Sequence, residues 1–314
     1  MDRAASHALD TVAIQESRQS AGIVGARMRP GLIRRVLLVA AVVLLIIVLG
    51  RYAGFGLPSE KTRLSLKLDK IVRVDTEPVV SCANIAARHP IVILALGQSN
   101  AANHGARAGD TDVPIALIAD GKCIMAVDPL PGATGAGGSI WYRLPRHFAR
   151  LERGVHRPIV ISVLGVDATA IDEWTNDISP IRAHLQQQLK SMQVLGLAPQ
   201  LVLWQQGEED ARDGTTQSAY SAGLDKMAGI LDQNGVSAPI LVALSTVCRS
   251  EPNDAIRSAI EAKVASNPRF KLGPDTDYDI HPGLRSDKCH FSAEGLDRAA
   301  QLWAATIAPL LIQP

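Results

Sequence analysis

The 314-residue chain has few aromatic side chains, few cysteines and almost no net charge. Phe, Trp and Tyr together make up 4% of it, so a core of ordinary size has to come from Ala, Val, Leu and Ile. The net charge is +1, and no Lys/Arg-rich block falls in the part expected to fold. That balance argues against nucleic acid as a partner. The four cysteines, Cys82, Cys123, Cys248 and Cys289, have no C-x-x-C spacing, which argues against a zinc knuckle. No internal repeat or low-complexity tract occurs. The glycines of 132–138 depart from the G-x-x-x-x-G-K-[ST] pattern of a phosphate cradle. No cofactor and no metal are therefore expected.

One segment breaks the soluble pattern. Residues 36–50, "VLLVAAVVLLIIVLG", carry no charge and follow Arg27, Arg29, Arg34 and Arg35. A bilayer-spanning helix needs about 20 apolar residues. Residues 51–57 can extend the run, with Arg51 reaching outward and Tyr52 and Phe55 suited to an interface. The reading is a cytoplasmic tail at 1–35, a transmembrane anchor at 36–57, a stalk at 58–88 and a folded domain at 89–314. By the positive-inside rule the folded domain is extracytoplasmic, in the periplasm or at the cell surface. The alternatives are a cleaved signal peptide, which the long charged leader disfavours, and a buried core helix.

From residue 89 the pattern is regular. "PIVILALG" (90–97), "PIVISVLG" (158–165), "PQLVLWQQG" (199–207) and "PILVALSTV" (239–247) are continuous apolar runs, as expected of strands covered on both faces. Amphipathic stretches at 181–196, 218–235 and 292–311 read as helices, the first two stopped by glycine and the last capped by Ser292. Strands alternating with helices predict an α/β fold with a parallel sheet, and ligands then bind beyond the carboxyl ends of the strands. Gln98-Ser99-Asn100, residues 165–169, Gln206-Gly207-Glu208 and Cys248 all follow strand ends.

That edge holds the parts needed to activate a serine nucleophile. A serine hydroxyl needs a base to take its proton, and the base is usually a histidine oriented by a carboxylate. In "SDKCHFS" (286–292), Asp287 and His290 are three residues apart, so one turn can present both. Ser99 is the candidate nucleophile, His290 the base and Asp287 its orienting acid. Oxyanion donors are expected from the Ser99 N–H, the loop at Asp167 and Ala168, and the Gln206 amide. Gln98, Asn100, His104 and Glu208 are candidate substrate contacts, Glu208 alternatively bracing its loop. Trp141, in a Gly/Ser-rich stretch, is a candidate for stacking on a substrate. His281 reads as a surface residue.

"GQSN" (97–100), "WQQGEED" (204–210) and "DKCH" (287–290) resemble the serine, third and fifth blocks of the SGNH hydrolase superfamily. They are most similar to its branch of sialate O-acetylesterases and acetylxylan esterases, which shows GQSN, W-x-Q-G-E-x-D and D-x-x-H. "DPLPGATGAGGSIW" (128–141) looks like the glycine-rich substrate loop of bacterial members. The resemblance covers roughly residues 89–311. It implies a three-layer, flavodoxin-like α/β/α fold and removal of acetyl groups from sugars without a metal, with an acetylated glycan as partner. It carries the nucleophile to Ser99, the triad to Asp287 and His290, and the side-chain oxyanion donor to Gln206.

The second block departs from that branch. Where Gly-Gly-Thr-Ser-Ile is usual, this chain has Asp167-Ala168-Thr169-Ala170-Ile171. A glycine's φ is unfavourable for the residue that replaces it, and Asp167 brings a carboxylate near a site for negative charge. A rearranged loop or weaker activity is expected. Sequence alone leaves three cysteine pairings open. Cys289 lies within the D-x-x-H turn and Cys248 at the same sheet edge, so a Cys248–Cys289 disulfide pinning the catalytic loop is expected, with Cys82–Cys123 as the second. A free, partly buried Cys289 is the alternative. The competing functions are a sugar O-acetyltransferase using the same triad, a catalytically weak glycan-binding relic, and a metal hydrolase built on His104, His281 and His290, which no ligand spacing supports.

Overall fold

The computed structural model describes residues 38–39, 59–107, 113–151 and 157–311. Of the run expected as a membrane anchor, only Leu38 and Val39 fall among these, as exposed helix. The rest of that expectation, and the tail at 1–35, lie outside the described residues. Among the described residues no helix is long and apolar enough to cross a membrane.

The described residues from 59 onward form one compact unit. In chain order its elements are α1 (Glu60–Leu68), β1 (Val79–Val80), α2 (Cys82–Ala86), β2 (Ile91–Gly97), β3 (Ile115–Ala119), β4 (Lys122–Ala126), α3 (Ile140–Phe148), β5 (Ile159–Gly165), α4 (Ile171–Thr175), α5 (Pro180–Val194), β6 (Leu201–Gln205), α6 (Glu208–Asp213), α7 (Gln217–Gln233), β7 (Ile240–Leu244), α8 (Asp254–Ser266), β8 (Phe270–Asp275) and α9 (Ala293–Leu311). Eight strands form one sheet in the order β1-β4-β3-β5-β2-β6-β7-β8. The six from β3 to β8 run parallel, and β4 and β1 add an antiparallel edge.

The central strand β2 is buried along its whole length. Its side chains alternate between two cores. Val92, Leu94 and Leu96 pack with residues of α1, α5, α7 and α8, while Ile91, Ile93 and Ala95 pack with α3 and α9. Helices thus cover both faces, which is why the strand reads as an unbroken apolar run. Each Leu or Ile removed from water here contributes about 1.5–3 kcal/mol.

The stretch expected as a stalk folds onto the domain instead. Leu64 and Ile71 are buried in the core, β1 pairs with β4, and Cys82 is bonded to Cys123 of β4. A stalk needs a hydrated surface. This segment has an apolar stripe and a covalent tether, so 59–88 is the first layer of the domain.

Candidate active site

The site forms where β2, β5 and β6 end. Gly97 closes β2 at φ 146°, and a Cβ there would lie 2.0 Å from the Gln205 carbonyl oxygen of β6. Only glycine allows that approach, and the chain then turns sharply. Ser99–Ala101 form a short 3-10 turn. The N–H groups of Ser99 and Asn100, at its start, donate to no protein acceptor among the described residues. Ser99 is buried, and it lines a pocket of about 200 Å3 together with Gln98, His104, Asp167, Ala168, Glu208 and His290.

The loop carrying His290 is held from several sides. Asp287 Oδ2 lies 3.0 Å from His290 Nδ1, and Asp287 Oδ1 accepts the N–H groups of Cys289 at 3.0 Å and His290 at 2.7 Å. Burial works to raise the Asp287 carboxyl. The hydrogen bonds from the His290 backbone and ring and from the Cys289 N–H outweigh it and hold the group well below the usual carboxylate range. An ionised Asp287 on Nδ1 assigns the proton to that nitrogen and leaves Nε2 as an acceptor. The Cys248–Cys289 disulfide and the Arg249–Asp287 ion pair, at 3.1 Å, fasten the same loop to the end of β7. Both disulfide pairings are those expected. No hydrogen bond joins Ser99 Oγ to His290, although both line the pocket. Such bonds are often long in free enzymes and tighten with substrate.

Beneath the nucleophile lies a buried polar brace. Asn100 Nδ2 donates to Glu208 Oε1 at 2.7 Å and to the Cys289 carbonyl at 3.4 Å, linking the nucleophile's turn to the histidine loop. Ser245 Oγ also donates to Glu208 Oε1, at 2.8 Å, while Glu208 Oε2 and Asn100 Oδ1 are buried without partners. Burial pushes the Glu208 carboxyl up to about 7, against the pull of the Asn100 and Ser245 hydrogen bonds. Buried Arg285 donates to the Cys289 carbonyl at 2.6 Å and to the Thr276 carbonyl at 2.7 Å.

Three expected residues stand elsewhere or differently. The Gln206 side chain is fully buried, its amide nitrogen donating to Asp210 at 2.5 Å, to the Thr169 carbonyl at 2.9 Å and to Gln98 at 3.2 Å. These acceptors turn it away from the pocket, so it is no oxyanion donor here. Trp141 is fully buried, its indole N–H donating to the Ala101 carbonyl at 2.7 Å and its ring against Trp303. It supports the nucleophile's turn from inside and offers no face to a sugar. The Asp167 N–H donates to Thr134 Oγ1 at 3.1 Å and is not free for an oxyanion.

The Ala168 N–H meets no protein acceptor among the described residues, and Ala168 lines the pocket. The altered second block keeps the glycine-like backbone, because Ala168 sits at φ 47°. For an alanine that costs roughly 1–2 kcal/mol. Gln98 accepts the Glu209 N–H at 3.0 Å, fixing the start of α6 to the turn. His104, expected as a substrate contact, stacks on His290 with centroids 5.5 Å apart and reaches Thr134 Oγ1 at 3.1 Å and Asp167 at 3.9 Å. Burial keeps its imidazole below the ordinary histidine range. His281 does not line the pocket; its ring nitrogen accepts the Gly283 N–H.

Sequence reasoning missed Thr134, Arg212, Arg249 and Lys67. Arg212 and Arg249 line the pocket mouth. Lys67, on α1, donates to the carbonyls of Asp167 and Ala168, each at 2.6 Å. Arg249 directly follows Cys248, a usable signal. Lys67 lies 100 residues from its partner, and nothing local announces it.

A parallel-sheet edge that brings a serine and a carboxylate-paired histidine to one pocket fits a serine hydrolase of the α/β class. Residues 89–308 match the family described as carbohydrate esterase, sialic acid-specific acetylesterase, and the chain belongs to that family. It is a carbohydrate O-acetylesterase. A solved protein from Arabidopsis thaliana shares the fold at TM-score 0.55 and 18% identity, over 70% of this chain and 98% of that one. A carbohydrate acetylesterase from Xanthomonas citri aligns at TM-score 0.44 and 17% identity, over 69% of this chain and 55% of that one. NanS aligns at 0.47 and 16%, over 71% and 97% respectively. No curated protein matches the chain in sequence.

Proposed function

We propose that acetyl groups are removed through an acyl-enzyme on Ser99. Ser99 Oγ attacks the ester carbonyl as His290 Nε2 takes its proton, and Asp287 holds the imidazole tautomer and balances the imidazolium. The oxyanion is received by the N–H groups of Ser99 and Ala168. His290 returns its proton to the sugar oxygen, and water, deprotonated by the same imidazole, releases acetate and frees Ser99. The single observation that carries this reading is that Ser99 and His290, nearly 200 residues apart, line one pocket, with Asp287 hydrogen-bonded to the His290 ring behind it. His104 and the two arginines at the mouth supply polar contacts for the glycan.

We further propose that 36–57 anchors the enzyme and that its folded part works outside the cytoplasm. Supporting this are the arginines preceding the run and two disulfides, which persist in oxidising compartments. The test of the chemistry is nitrophenyl acetate hydrolysis by the full chain. Ser99→Ala is expected to lower kcat by at least ~1,000-fold with thermal stability kept. Equal rates would remove Ser99 from the mechanism.

A further inference from the structure

We propose that Lys67, on a helix that precedes the family-matched region, is a positioning residue that aims the Ala168 N–H into the active site. The inference rests on the esterase reading above and adds to it a part outside residues 89–308. It starts from the second block, where Ala168 adopts a left-handed backbone that alanine does not choose unaided.

Lys67 Nζ donates to the carbonyls of both Asp167 and Ala168, at 2.6 Å each. A trans peptide is planar, with its C=O and N–H pointing in opposite directions. Among the described residues the only cis bond is Asp128–Pro129. Drawing the Asp167 carbonyl toward α1 therefore drives the Ala168 N–H of the same peptide the other way. Ala168 lines the pocket with Ser99, and that N–H has no protein acceptor.

α1 grips the loop at a second point. Arg63 pairs with Glu173, whose other oxygen accepts the Ala170 N–H at 3.0 Å. Leu64, between the two basic residues, is buried in the core and fixes the helix in place. Two cationic side chains one turn apart thus hold both ends of 167–173. A glycine at this point would take the same backbone without help. Here a lysine from outside the shared domain does the holding.

The charges facing Lys67 are Asp167, which favours its ammonium, and Arg63, Arg212 and Lys70, which oppose it. Burial is the largest influence and brings the amine down to about 8. The clamp therefore weakens on the alkaline side of neutrality, whereas a guanidinium in its place would stay charged.

The experiment compares the full chain with Lys67→Met, Lys67→Arg and Ser99→Ala, using nitrophenyl acetate from pH 6 to 9.5 and thermal melts. Lys67→Met is expected to lower kcat about 30-fold with KM changed less than about threefold, a fraction of the 100- to 1,000-fold typical for losing an oxyanion donor outright. Lys67→Arg is expected to recover at least a third of the wild-type kcat and to hold its rate above pH 8, where the wild type declines. A folded Lys67→Met enzyme as fast as wild type, beside an inactive Ser99→Ala, overturns the clamp and leaves the esterase reading standing. A loss in Lys67→Met that tracks only unfolded protein, or equal losses in Met and Arg, also overturns it. A fully active Ser99→Ala overturns both.

Discussion

The nucleophile's turn and the histidine's loop meet in one pocket but are held by opposite means. Ser99 follows a central strand buried along its whole length, and its neighbours Gln98 and Asn100 are themselves buried. Its position comes from the whole fold. His290 lies on a half-exposed loop fixed by short-range devices: a carboxylate three residues away, a disulfide and an arginine ion pair. Two residues of one pocket can thus be placed in different ways, one by global packing and one by local fastening. Damage to the second can then be separated from damage to stability.

The sharpest break of this contrast is Asp287→Asn. The amide removes the charge and offers Nδ1 a donor, favouring the wrong tautomer. A kcat loss of about 1,000- to 10,000-fold is expected, with a melting temperature within a few degrees of wild type. A large drop in stability would show the loop to be part of the folding core.

The two disulfides sharpen the comparison next. Each closes the same sequence separation, 41 residues. Loop-closure entropy gives each about 4 kcal/mol at most. Removing either pair as a double Cys→Ala variant is expected to lower thermal stability alike. Only the Cys248/Cys289 variant should also lower kcat, by about 10- to 100-fold, the scale of an ångström's misplacement. Equal kinetic effects of the two pairs would contradict local fastening.

The smallest expected effect concerns the brace between the two regions. Glu208 stands at about 7 when folded, against an ordinary 4.5. The folded chain therefore holds this proton more tightly than the unfolded one. The resulting stability is present in full below about pH 4.5 and is lost as pH rises through about 7, by on the order of 3 kcal/mol. Glu208→Gln removes that dependence, so its melting temperature relative to wild type should rise from pH 5 to pH 8. A constant difference across that range would mean that Glu208 titrates normally.

Strands β2, β5, β6 and β7 and three of the helices were legible because each is an apolar run or stripe bounded by glycine, by proline or, for α9, by the Ser292 cap. β8 was not: its sequence, "FKLGPD", alternates poorly and leaves Lys271 and Leu272 exposed, since it lies at the sheet's edge. The β3–β4 hairpin, turning at Asp120-Gly121, and the amphipathic α8 also went unread. Ser99, Asp287 and His290 could be singled out as candidates because strand-end placement and i, i+3 spacing are local facts, and the fold brings Ser99 and His290 to one pocket. Gln206 and Trp141 were misread for a related reason. A strand end tells where a residue sits, but only packing decides which way its side chain points, and both point into the core. The stalk was misread because mixed charge hid the two side chains, Leu64 and Ile71, that bury it.

The fold of 59–88 back onto the sheet matters for anyone preparing the enzyme. A gene fragment trimmed to the borders of sequence likeness would begin at residue 89. Such a cut discards Cys82 and leaves Cys123 an orphan thiol beneath a stripped surface. It also takes away the only element among the described residues that reaches across to Asp167 and Ala168 with a lysine. Expression trials should keep the chain from about residue 58 onward, or a sluggish, sticky product will be blamed on the catalyst when the scissors are at fault.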